Sequence, residues 1–149
     1  MGVATSLTRA LVLCGALGLG LPHCVQADQR YPLHSALSAE QHPDAAGLHG
    51  SVSVERVEGG QRLVVVQLSK LPAPERVAPG LTEFVVWLRP PSGETVRAGE
   101  LKYDREHLSG SLFATTTLAA FTVQVTGESD PGARTPGGVL LTERTIVTN

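Results

Sequence analysis

Between Leu81 and Thr126 the chain runs LTEFVVWLRPPSGETVRAGELKYDREHLSGSLFATTTLAAFTVQVT, in short apolar-alternating stretches separated by turn residues. A period of two sends successive side chains to opposite faces of a pleated strand, whereas a helix repeats every 3.6 residues. Phe84, Val86 and Leu88 make one continuous apolar face, and Val85 and Trp87, bracketed by Glu83 and Arg89, lie on the other. The first set is expected in a core and Trp87 partly exposed. Pro90-Pro91-Ser92-Gly93 closes the strand as a turn, since proline presets φ and glycine accepts the reversed angle. A chain patterned this way has to bury one face of each sheet against another sheet.

The flanking sequence repeats the pattern. Val52 and Val54 alternate with Ser51, Ser53 and Glu55, and Glu58-Gly59-Gly60-Gln61 then reads as a hairpin turn. Arg62 to Leu68 returns with Val64, Val66 and Leu68 on one face and Leu63 and Val65 on the other, which suits a central strand. Lys70 to Gly80 holds three prolines and is expected to cross between sheets instead of pairing in one. Glu94 to Tyr103 is a weaker strand, with Gly99 marking a bulge or an edge. Ser111 to Thr117 is β-compatible, and Phe121, Val123 and Val125 alternate cleanly. A proline- and glycine-rich loop over 127–138 precedes a last strand from Val139 to Val147. The expected fold is all-β: an antiparallel sandwich of about seven strands, Ig-like or fibronectin-like, over residues 48–149.

Ahead of it, Met1–Ala27 has the form of a secretory signal peptide. Arg9 is its only charge, and the apolar run from Ala10 to Leu21 is shorter than the roughly 20 residues a spanning helix needs. Val25 and Ala27 provide small residues at the −3 and −1 positions of cleavage, so the mature chain is expected to begin at Asp28 and to carry no transmembrane segment. His23 is too bulky for lipidation at Cys24 to be expected. Cys14 and Cys24 both fall in the leader, leaving no disulfide or thiolate chemistry afterwards. Residues 28–47, punctuated by Pro32 and Pro43, are expected to form a flexible N-terminal arm. The formal net charge of −2 becomes more negative once Arg9 is lost, the wrong sign for a nucleic-acid surface. Location in the periplasm or outside the cell follows from the leader, and abundant Ala, Gly, Pro and Arg fit a bacterial genome.

The order of elements resembles the extracytoplasmic C-terminal domain of the anti-sigma-K factor family. The likeness is carried by Phe84-Val85-Val86-Trp87-Leu88, Ser92-Gly93, Ala98-Gly99-Glu100-Leu101, Phe121-Thr122-Val123-Gln124-Val125-Thr126, and Thr135-Pro136-Gly137-Gly138-Val139-Leu140-Leu141, within about Leu81 to Val147. It implies a β-sandwich outside the cytoplasm. The family's sigma-binding domain and membrane helix have no counterpart in these 149 residues, so control of a sigma factor is not carried over.

Residues that could carry chemistry are few. His34, His42 and His49 share one short segment, but their spacings of eight and seven match no common ligand motif. Asp104, His107 and Ser109 invite comparison with a hydrolytic triad, yet nothing places the serine on a strained elbow. Gly59-Gly60 and Gly137-Gly138 follow no strand-to-helix step and are turn residues, not a phosphate cradle. Trp87 and Tyr103 together could stack on a sugar ring or anchor a protein. The expectation is an exported, non-enzymatic module without a cofactor. It would contact an envelope protein or surface polymer through a sheet edge or through Trp87 and Tyr103. The alternative is a periplasmic metal-binding protein using His34, His42 and His49.

Overall fold

The computed structural model describes residues 29–148, so the expected leader, its cysteines and the cleavage site at Ala27 lie outside the described residues. The described strands are β1 (Gln29–His34), β2 (His49–Arg56), β3 (Arg62–Ser69), β4 (Glu83–Arg89), β5 (Val96–Glu100), β6 (Lys102–Asp104), β7 (Ser109–Thr116), β8 (Ala120–Glu128) and β9 (Val139–Val147). They form two antiparallel sheets, ordered β1-β2-β3-β7-β6 and β5-β4-β8-β9. The protein is an all-β sandwich, and its only described helices are single turns at Glu58–Gly60 and α1 (Pro74–Val77).

The core lies between the sheets and follows the alternation in the sequence. Val52, Val64, Val66 and Leu68 from the first sheet meet Phe84, Val86, Leu88, Phe121, Val123, Val125 and Ile146 from the second. Burying a side chain of this size is worth about 1.5–3 kcal/mol in transfer free energy. β3 is central in its sheet, and the proline-rich segment after it carries the chain to the other sheet, where β4 begins. Gly59 and Gly60, at φ 76° and 75°, supply the positive angles of the β2–β3 connection.

The segment expected as a flexible arm is built into the sandwich. Gln29–His34 pairs along its whole length with β2, and Leu33 is buried. Pro32, which reads as a breaker, is tolerated for a geometric reason. Its position in the ladder turns the proline nitrogen away from β2, to the outer side of this edge strand, where no ladder hydrogen bond is required. Beyond β1, the amides of Ala45 and Ala46 donate to the His42 carbonyl at 3.1 and 3.0 Å, and Ala45 is buried.

Glu94–Tyr103, expected as one strand, divides between the sheets. β5 pairs with β4 through a register shift at Val86/Trp87, opposite Gly99. Leu101 then turns inward, its amide donating to the Phe84 carbonyl at 2.8 Å, and β6 joins β7 in the other sheet. A single extended run thus forms a corner of the sandwich.

Candidate interaction surface

The two long sides of the sandwich are finished differently. On one side, β1 is tied to β9. The Thr142 hydroxyl donates to the His34 carbonyl at 2.6 Å, the Tyr31 hydroxyl to the Val147 carbonyl at 3.1 Å, and the Ala36 amide to the Leu141 carbonyl at 2.7 Å. On the other side, β6 covers only Ser109–Ser111 of β7. Among the described residues, no strand pairs with Leu112–Thr116 on the side away from β3.

A groove of about 760 Å³ runs beside this unpaired half, between β7 and the edge strand β5. Leu63, Pro90, Val96, Phe113 and Leu118 give it apolar walls. The register explains Phe113: its neighbours Leu112 and Ala114 oppose the core residues Val66 and Val64, so the phenyl ring points outward. It is 67% exposed and Val96 is 56% exposed, large values for side chains that gain most from leaving water.

Trp87 does not contribute to any surface. It lies on the outer face of its sheet, as the bracketing charges imply, but it is fully buried, not partly exposed. Its cross-strand neighbour Arg97 reaches to the Pro131 carbonyl at 2.8 Å and to Glu83 at 2.9 Å, drawing the loop after β8 to this face. The indole N–H is used internally, donating to Thr126 Oγ1 at 2.8 Å. Burial, more than the charge of Glu100, pushes the Glu83 carboxyl up, and Arg97 opposes that shift.

Tyr103 sits in the opposite sheet and does not pair with Trp87. Its ring meets Phe84 edge to face with centroids 5.6 Å apart, and its hydroxyl donates to the Leu71 carbonyl at 2.9 Å. Burial raises the phenol above its ordinary range. Both aromatics singled out as binding residues are occupied with holding the fold together.

At one end of the sandwich, a pocket of about 480 Å³ is lined by Asp44, Lys70, Arg76, Arg105, His107 and Leu108, among others. Lys70 and Leu108 are the two non-glycine residues with positive φ among those described, at 53° and 48°. They flank the paired Ser69 and Ser109, and the Leu71 amide donates to the Leu108 carbonyl at 2.8 Å. The surrounding charges pair internally: Arg76 with Asp44 at 2.9 Å, Arg105 with Glu75 at 2.6 Å, and His107 with Asp104 at 2.8 Å. The Arg105 hydrogen bond lowers the Glu75 carboxyl pKa, and Glu75 in turn raises that of Arg105. Asp104 is lowered first by the His107 backbone amide and then by its ring. Asp104 and His107 thus form a dyad, but among the described residues no hydrogen bond joins His107 to Ser109.

The three histidines do not gather. His34 and His49 are cross-strand partners, whereas His42 turns its Nδ1 to the Val77 carbonyl at 2.9 Å. Among the described residues, no group of three or more His, Cys, Asp or Glu side chains is placed to hold a metal ion, so the three-histidine set of the alternative reading is not assembled.

The sequence held one unused signal for the groove. Phe113 is an aromatic in phase with Ser111 and Thr115, hence on the face opposite Leu112 and Ala114. The unpaired half of β7 had no such signal, because it depends on where β6 begins, at Lys102 opposite Ser111. No helix of the described residues is long and apolar enough to cross a membrane. No family model, no curated protein and no solved structure matches this chain.

Proposed function

We propose that this chain is an exported, non-enzymatic Ig-like β-sandwich that docks an extended segment of a cell-envelope protein on its open β5–β7 side. The observation that carries the reading is the exposed Phe113 beside the unpaired Leu112–Thr116 edge. A strand added there would gain main-chain hydrogen bonds from β7 and bury alternate side chains against Phe113, Val96 and Leu63. The signal-like Met1–Ala27 and the resemblance to the extracytoplasmic domain of anti-sigma-K factors support placing the mature chain in the periplasm or outside the cell. Burial of Trp87 favours the sheet edge over an aromatic platform for a surface polymer.

The test compares wild type with Phe113→Asp in recovery of bound protein from the envelope fraction of the producing cell. A defined partner held by wild type and lost with Phe113→Asp is the expected result. Equal recovery by both proteins would contradict it.

A further inference from the structure

His34 and His49 lie fifteen positions apart in sequence and directly opposite each other where β1 meets β2. Both are exposed, on the outer face of the five-stranded sheet. The Ser35 amide donates to the Leu48 carbonyl at 3.2 Å. In an antiparallel ladder that bond flanks the 34/49 pair and makes it a non-hydrogen-bonded position. There the Cα atoms approach to about 4.5 Å and facing side chains come closest.

One of the two rings is also prepared. His49 Nδ1 lies 3.1 Å from the Gly47 carbonyl. A carbonyl oxygen only accepts, so Nδ1 carries the proton and Nε2 keeps its lone pair directed elsewhere. A backbone carbonyl holding one imidazole nitrogen while the other ligates is the usual outer-shell arrangement of metal-bound histidine. His34 is fixed through its backbone, whose carbonyl accepts the hydroxyl of the buried Thr142 at 2.6 Å.

We propose that His34 and His49 form a two-imidazole site for a borderline divalent transition-metal ion, binding Cu²⁺ ahead of Zn²⁺, with water in the remaining positions. Nitrogen donors suit these ions, and the Irving–Williams order ranks copper above zinc. Ca²⁺ and Mg²⁺ require oxygen ligands, which this pair does not supply. His42 takes no part, since it is outside the β1–β2 ladder and turns to the Val77 carbonyl at the end of α1, so that no third possible ligand joins the pair among the described residues. The site is on the β1 margin of the sheet, away from the β5–β7 groove, and does not rest on the docking role.

The experiment titrates tag-free mature protein with Cu²⁺, reading coordinated nitrogen by electron paramagnetic resonance, and with Zn²⁺ by calorimetry. Wild type is expected to show two imidazole nitrogens on copper and tighter binding of copper than of zinc. His34→Ala and His49→Ala should each weaken copper at least about tenfold, the least that losing a ligand costs when outer-shell partners alone are worth that much. His42→Ala and His107→Ala should leave affinity unchanged. A far-ultraviolet spectrum checks that each variant keeps its strands, and the wild-type resonance spectrum tests the ligand set without any substitution. Fewer than two imidazole nitrogens on wild-type copper, or an equal loss with His42→Ala, would overturn the proposal.

Discussion

The indole N–H of Trp87 donates to Thr126 Oγ1 at 2.8 Å, and that hydroxyl donates onward to Glu128 Oε1 at 2.6 Å. All three residues are buried, and the Gly137 amide adds a second donor to the same carboxyl oxygen at 3.2 Å. Thr126 is the relay: its single hydroxyl satisfies an indole that packing has removed from water and a carboxyl that has no cationic partner among the described residues. Replacing it with valine keeps the shape and deletes both bonds. Thr126→Val is expected to destabilise the fold by about 1–3 kcal/mol, the cost of leaving buried polar groups unsatisfied. Urea unfolding followed by Trp87 fluorescence checks this, with the exposed Thr115→Val expected to stay within about 0.5 kcal/mol of wild type.

Gly110 is held by space, not by its backbone angles. A Cβ there would run into Leu101 Cδ2 and come within 3.1 Å of Leu71 Cδ2, both in the core beneath the β6–β7 pair. Gly110→Ala is expected to cost about 1–3 kcal/mol through overpacking. The same unfolding measurement applies, and an unchanged midpoint would show that Leu101 has another place to go.

The pocket end should respond to acid. Asp104 and Glu75 have pKa values lowered in the folded protein by the hydrogen bonds from His107 and Arg105. A depressed folded pKa means that the unfolded chain binds more protons, so their stabilisation is present above the ordinary carboxylate range and lost as pH falls through the folded values. Glu83 is shifted the opposite way and contributes in the opposite sense. The double variant Asp104→Asn/Glu75→Gln should therefore lose stability less steeply than wild type below about pH 4. Urea midpoints measured at stepped acidic pH check the slope.

Phe113 separates folding from docking. Because the ring is largely exposed, Phe113→Asp should change the unfolding free energy by no more than about 0.5 kcal/mol. A much larger loss would mean that the ring supports the sandwich and is not held out for a partner.

Much of the fold was legible because alternation decides which face of a strand is buried. Phe84, Val86, Leu88, Phe121, Val123 and Val125 take their expected places in the core. Trp87 shows the limit of that inference. Its face was readable from Glu83 and Arg89, but its burial depends on Arg97 and on a loop more than forty positions downstream. β1 was hidden because Pro32 breaks a central strand yet is harmless at an edge. The pairing of His34 with His49 is set by register and not by spacing, so a search for ligand motifs would not find it. The groove needs two facts invisible in a linear pattern: the start of β6 at Lys102, opposite Ser111, and the switch of sheets at Leu101.

Photo-crosslinking from position 113 in the producing cell, with position 58 in the β2–β3 turn as control, tests the docking surface most directly. A discrete product of one partner at 113 and none at 58 is the expected result. Identical, diffuse products at both positions would contradict the docking surface.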